Sequence, residues 1–243
     1  MIRLYFLGLG GWASNPLMSH TSVLLTTGHS RILIDAGECI YSSLRICTPF
    51  DVGDIDYIII THRHGDHLLG LPTFLQHAKR LGIKVRVLGP YDVYYAIKEL
   101  LEGVGIHKYI SLVDFTVIED GSRLNLNDVT VSAVSALHTV PALMYRFDVN
   151  DKCVAYSGDS SPNPGFSRMI EGCDVLIHEA SIDDDFRNDA LKHGHSTIGD
   201  AIRIAEEAKV KRLVLVHRGL KPLTLSHVGV PILLVQRCDA LDV

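Results

Sequence analysis

The sequence predicts a layered α/β protein, with sheets covered by helices on their outer faces. Short apolar, β-branched runs alternate with longer stretches of helical spacing in both halves of the chain. Apolar residues make up 47% of the chain, enough for a packed core and too many for a disordered segment. At 243 residues the chain reaches the upper size of one layered core, so residues 1–243 are expected to form a single domain.

Residues 2–7, 21–27 and 31–35 read as opening strands, the last two joined by a hairpin turn centred on Gly28. Residues 57–61 form an apolar run ending in polar side chains, as a buried strand delivering groups to a site would. Residues 67–81 carry apolar side chains at helical spacing and stop at Gly82. A strand at 85–88 and a helix at 91–101 follow. The middle is richer in strands, at 111–118, 129–135, 142–149 and 153–157, with Asn150 and Asp151 forming a hairpin turn. Beyond Asp159 the pattern predicts a helix near 165–171, a strand at 175–178 and a helix at 196–208, whose plainest reading makes Ser196 an ordinary N-cap. Strands at 213–216 and 231–235 complete the chain, which shows no internal repeat, low-complexity tract or linker.

Composition narrows the function. The net charge of −5 gives no global attraction for nucleic acid, so a polyanion has to be drawn by a local patch or by bound cations. No apolar run reaches membrane-spanning length, and the start reads as a strand and turn rather than a signal peptide. A cytoplasmic protein is expected. Cys39, Cys47, Cys153, Cys173 and Cys238 are scattered, odd in number and without a Cys-x-x-Cys pair. Most are expected to be small buried hydrophobes rather than a disulfide framework or a cysteine zinc site. The 13 histidines point first to metal.

The sharpest signal is Thr61-His62-Arg63-His64-Gly65-Asp66-His67, at the end of one buried strand and the start of one helix. Imidazole and carboxylate are the donors that zinc and similar divalent ions accept, and a strand-to-helix turn can aim several at one point. Gly65 allows the tight turn, and Arg63 can point away. His138, Asp159 and His217 each stand just past the end of an apolar strand. Each alone is a weak signal; their shared position strengthens all three. His29, His77, His107 and His227 lack that setting and read as non-ligands, while His20, His178 and His193 flank the motifs.

The run His-x-His-x-Asp-His, followed by His, Asp and His at strand ends, resembles the metallo-β-lactamase superfamily. Within it the chain looks most like the tRNA 3′-processing endonucleases, the ribonuclease Z family. Residues 7–11, 33–38, 61–67, 70–72, 157–160, 175–181, 193–197 and 213–217 carry the likeness in order, 178–181 being close to that family's His-Glu-Ala-Thr motif. The resemblance implies a four-layer αββα sandwich with two metal ions at one edge, zinc first and manganese or iron as alternatives. His62, His64 and His138 would hold one ion, Asp66, His67 and His217 the other, and Asp159 would bridge them. Asp66 would also orient the attacking water and take its proton. Glu179 and His195 resemble the pair that protonates the departing oxygen, against the plainer readings of a structural ion pair and a residue merely preceding a helix. Asp35 could hold a ligand histidine by accepting its ring N–H.

The implied activity is that of a zinc-dependent phosphodiesterase or endoribonuclease acting on RNA, tRNA included, in a family that often forms homodimers. Two departures bear on the substrate. Residues 139–158, between His138 and Asp159, leave no room for the long tRNA-clamping arm that many members carry there, and none is evident elsewhere. Arg218-Gly219-Leu220-Lys221 also differs from the usual family sequence. The alternative is another hydrolase of this fold, acting on a small phosphodiester, thioester, lactone or lactam. Asp159 in place of cysteine at the bridging position speaks against the lactamases, and a complete ligand set speaks against a non-catalytic binding module.

Overall fold

A computed structural model describes residues 1–13, 16–218 and 229–243. Its first half runs through β1 (Arg3–Gly8), β2 (Ser22–Thr26), β3 (Arg31–Ile34), α1 (Ile40–Cys47), β4 (Tyr57–Ile59), α2 (Gly65–Leu68), α3 (Leu71–Leu81), β5 (Val85–Gly89), α4 (Tyr91–Gly103) and β6 (Val113–Val117). The second half runs through β7 (Arg123–Leu126), β8 (Val129–Ser135), β9 (Leu143–Val149), β10 (Lys152–Tyr156), α5 (Pro164–Met169), β11 (Val175–Glu179), α6 (Arg187–Lys192), α7 (Ile198–Glu207), β12 (Leu213–Val216), β13 (Ile232–Leu233) and β14 (Ala240–Asp242). Two seven-stranded sheets result, ordered β14-β1-β2-β3-β4-β5-β6 and β13-β12-β11-β10-β9-β8-β7.

Successive side chains of a strand face opposite sides of its sheet, and both sides are apolar here. Phe6, Val23, Leu25, Ile32 and Ile34 meet Tyr145, Phe147, Val154, Tyr156 and Val175 in a core between the sheets. The alternate residues Leu7, Leu24 and Leu33 pack with Leu44, Phe74 and Ile97 from α1, α3 and α4. On the far side, Ala155, Leu176 and Leu213 pack with Phe166 and Ile204 from α5 and α7. This is the αββα sandwich expected from the resemblance.

The sheets meet at one edge. Strands β10, β11 and β12 are parallel, so their C-terminal ends open on the same side. There His62, past β4, bridges to Ala142, before β9, and the Leu143 amide donates to the Thr61 carbonyl at 3.0 Å.

Three expectations are corrected. The helix predicted over 67–81 is two, α2 and α3, broken at Gly70. Its amide donates to Ala36 O at 2.9 Å, and a Cβ there would stand 2.1 Å from Gly37 O, so the chain steps to dock on the 36–37 turn. The N-cap of α7 is Thr197, in a capping box with Asp200, because the Ser196 hydroxyl is engaged by Ser160 O at 2.7 Å. Four cysteines are paired rather than free: Cys47 with Cys238 and Cys153 with Cys173, at Cα separations of 4.5 and 4.9 Å. Tertiary structure makes both pairs. The return of β14 onto β1 brings Cys238 to the end of α1, and Cys173 precedes the strand beside Cys153. Cys39 is free and exposed, not buried. No helix among the described residues is long and apolar enough to cross a membrane.

Candidate metal centre

The turn that follows β4 is braced from behind by Asp35, a buried residue at φ +59° after β3. Its Oδ1 accepts the Thr61 amide at 2.8 Å, and its Oδ2 accepts the Tyr156 hydroxyl at 3.0 Å and the His67 Nδ1–H at 2.8 Å. The Thr61 hydroxyl donates to the same carboxylate at 3.0 Å, leaving its oxygen to accept from His62 Nδ1, also at 3.0 Å. One carboxylate thus orients two histidines of the motif.

All seven predicted donors converge, in two groups sharing Asp159: His62, His64, His138 and Asp159, and Asp66, His67, Asp159 and His217. Within each group the donor atoms lie within 4.8 Å of one another. His64 Nδ1 stands 3.0 Å from His62 Nε2 and 3.1 Å from His138 Nε2. In the second group His217 Nε2 lies 3.0 Å from Asp66 Oδ2 and 3.2 Å from Asp159 Oδ2. Asp159 Oδ2 is 3.7 Å from His62 Nε2 and 3.5 Å from His67 Nε2, between the groups.

These residues fit divalent cations. Four donors around a zinc ion at about 2.1 Å stand roughly 3.4 Å apart in a tetrahedron, close to the spacings here. Three ring nitrogens facing one point cannot satisfy each other with the protons available, whereas a cation satisfies all three lone pairs. The outer nitrogens are already committed. His138 Nδ1 donates to Gly194 O and His67 Nδ1 to Asp35, while His217 Nδ1 donates to Ser181 Oγ at 2.7 Å. Their Nε2 atoms therefore turn lone pairs inward. Buried His67 Nε2 and Asp159 Oδ1 have no hydrogen-bond partner at all.

Charge separates the groups. Burial pushes His62, His64 and His138 below the ordinary imidazole range. Burial acts alike on His67 and His217, but Asp159 outweighs it in both, helped by Asp35 and Asp66 respectively, and holds them above that range. Burial would raise Asp159 and Asp66, yet the neighbouring His217 and His67 hold both carboxyls low.

Beside this centre, fully buried Glu179 holds His195, whose Nδ1 lies 3.1 Å from Oε1 and 3.2 Å from Oε2. Ser160 N donates to Oε1 at 2.7 Å, fixing the carboxylate. Burial lowers the His195 pKa, but the Glu179 hydrogen bond and charge outweigh it, raising it to about 9. Its ring sits 5.1 Å from that of His138 and 5.5 Å from that of His217, over both groups. Ser181, absent from the expected site, links these parts: its hydroxyl donates to Glu179 Oε2 and accepts from His217. The hydroxyl position in the 178–181 motif was the signal that could have found it.

The other histidines stay outside both groups. His29 and His107 are exposed, His77 stacks on Tyr41, and His227 lies outside the described residues. His178 is buried beside Phe166, His193 is exposed, and His20 accepts the Glu38 amide.

Comparison with known proteins agrees with this geometry. The beta-lactamase superfamily domain matches residues 30–218, a span holding every residue of both groups. Ribonuclease Z of Pyrobaculum calidifontis is 32% identical over 89% of this chain and 86% of its own length. That of Methanocaldococcus jannaschii is 28% identical over the same shares, 89% and 86%. Among solved structures, the metallo-beta-lactamase fold protein YhfI from Bacillus subtilis superposes with a TM-score of 0.85 at 20% identity, over 100% of both chains. The short form of human tRNase Z gives 0.82 at 23% identity, over 99% of this chain and 98% of its own. The chain belongs to the beta-lactamase superfamily and, within it, to the ribonuclease Z family of metal-dependent hydrolases.

Proposed function

We propose that this chain is a zinc-dependent endoribonuclease of the ribonuclease Z type, with tRNA precursors as the first substrate to test. His62, His64 and His138 would hold one ion, Asp66, His67 and His217 the other, and Asp159 both. Manganese or iron also suits this nitrogen and oxygen donor set. When bound, two such cations supply Lewis acidity to the phosphoryl group and acidify water.

The chain's own groups supply the proton traffic. Asp66 would orient the attacking water and accept its proton. His195 has Nδ1 engaged by Glu179, which leaves Nε2 to give a proton to the departing ribose oxygen. The Glu179–His195 pair is the observation that carries this reading. Metal centres of this shape serve many hydrolases, but a protonated imidazole beside one suits a reaction that expels an alkoxide. A lactam or lactone hydrolase has less use for it.

A second reading, cleavage of a smaller phosphodiester, is favoured by the residues between His138 and Asp159. They are taken up by β9, β10 and their hairpin turn, with no clamping arm among them. One assay separates these outcomes: the zinc-loaded protein on precursor tRNA, unstructured RNA, bis(p-nitrophenyl) phosphate, a thioester and a lactone. Cleavage of RNA, lost with a chelator and restored by zinc, is expected. Turnover confined to bis(p-nitrophenyl) phosphate selects the second reading, and turnover confined to the thioester or lactone removes both.

A further inference from the structure

Trp12 is the only tryptophan of the chain and is 67% exposed. A side chain of this size ordinarily buries most of its surface, and one left open beside a reactive centre invites a flat partner. The indole lies over Gly65, where a Cβ would stand 3.0 Å from Cζ3 and 3.1 Å from Cη2. Gly65 separates His64 from Asp66, one donor of each group. The preceding Gly11 abuts His217 of the second group: a Cβ there would stand 2.4 Å from His217 Cε1. Trp12 therefore sits at the lip of the metal centre.

The turn that carries it is held in place. Gly10 N donates to Ser19 O at 2.9 Å, Thr21 Oγ1 donates to Gly10 O at 2.9 Å, and Arg218 N donates to Leu9 O at 3.3 Å. Leu69, 43% exposed and also in contact with Gly65, widens the apolar lip. Arg218, bridged to Gly10, keeps a buried Nε without a hydrogen-bond partner. A flat apolar face, an arginine on the segment bridged to that turn and a cation centre next door together match one nucleotide.

We propose that Trp12 is a stacking platform for an unpaired nucleobase bordering the scissile phosphodiester. The inference rests on the endoribonuclease reading and adds to it the side chain that takes the base beside the cut, since a base inside a duplex has both faces covered by its stacked neighbours. Stacking tolerates any base, so the platform sets strandedness rather than sequence.

The lone tryptophan makes the test direct. Short single-stranded RNA titrated into the zinc-loaded protein should quench its emission saturably, and RNA lacking bases around the cut should not. Trp12→Ala should raise KM on single-stranded precursor RNA roughly 5- to 100-fold, and Trp12→Phe should recover most of the loss. Removing the bordering base from the substrate should cost the unaltered protein a similar factor, and the two losses combined should not multiply. Losses that do multiply, or a Trp12→Ala protein that cuts RNA as well as the original, overturn the platform. So does a change in sedimentation of Trp12→Ala, which would show that a second copy of the chain covers the indole. Quenching by RNA without any cleavage would sink the endoribonuclease reading while the platform stood.

Discussion

The two halves of the molecule deliver the proposed metal donors differently. The first supplies four, His62, His64, Asp66 and His67, from one turn after β4; the second supplies His138, Asp159 and His217 singly, each past the end of its own strand. The bracing differs to match. Asp35 orients His67 directly and His62 through Thr61, so one buried carboxylate serves both groups. In the second half each histidine has its own brace, Gly194 O for His138 and Ser181 for His217. A concentrated motif shares its support and fails as a unit, whereas dispersed donors fail one at a time.

The largest effect should come from a second-half residue proposed to donate a proton rather than to hold metal. His195→Ala should lower kcat by about 10²–10⁴-fold with zinc content unchanged, measured by turnover beside metal analysis. A loss of zinc instead would make His195 a ligand and redraw the comparison.

The shared brace comes next. Asn in place of Asp35 keeps the shape but turns an amide toward His67 Nδ1, which favours the tautomer protonated at Nε2 and removes the inward lone pair. Asp35→Asn should weaken zinc binding about 10- to 100-fold at both sites, read as two shifted steps in a competition titration with a chelator. Ser181→Ala should fall near the lower end, about tenfold, and only at the site containing His217. If Asp35→Asn moved one step only, shared support would be wrong.

The same contrast decides what was legible in the sequence. The four donors of the first half announce themselves, because three imidazoles and a carboxylate in one short turn have no use in packing. His138, Asp159 and His217 are ordinary strand-end residues singly; their shared place past an apolar strand drew them together, and family likeness assigned them to two ions. Ser181 stayed hidden because a serine hydroxyl after a strand has many plain uses; its bonds to Glu179 and His217 exist only once β11 and β12 lie side by side. Sheets covered by helices could be read from alternation and the sandwich from the resemblance, while β7, β14, α1 and α6 could not be read. α1 starts from Cys39 in a left-handed conformation without a side-chain cap, and β14 is a three-residue edge strand whose only signal is its pairing with β1. The Cys47–Cys238 disulfide depends on those same missed elements, since Cys47 closes α1 and Cys238 precedes β14, whereas Cys153 and Cys173 lie on or beside strands that were predicted.

The smallest effect concerns the adjoining residues Ser196 and Thr197, whose roles local sequence could not separate. Thr197 Oγ1 accepts the Asp200 amide at 3.2 Å and caps α7, a contact confined to the helix end. Ser196 Oγ instead donates to Ser160 O, tying the segment behind His195 to the loop after Asp159. Thr197→Ala should therefore cost about 1 kcal/mol of stability, seen as a lower denaturant midpoint, with kcat preserved. Ser196→Ala should cost a similar amount, about 1 kcal/mol for a lost hydrogen bond, but should also lower kcat, because His195 loses its register against Glu179 and Asp159. Equal kcat in the two variants would mean that Glu179 alone positions His195, and the Ser196 tie would then belong to stability only.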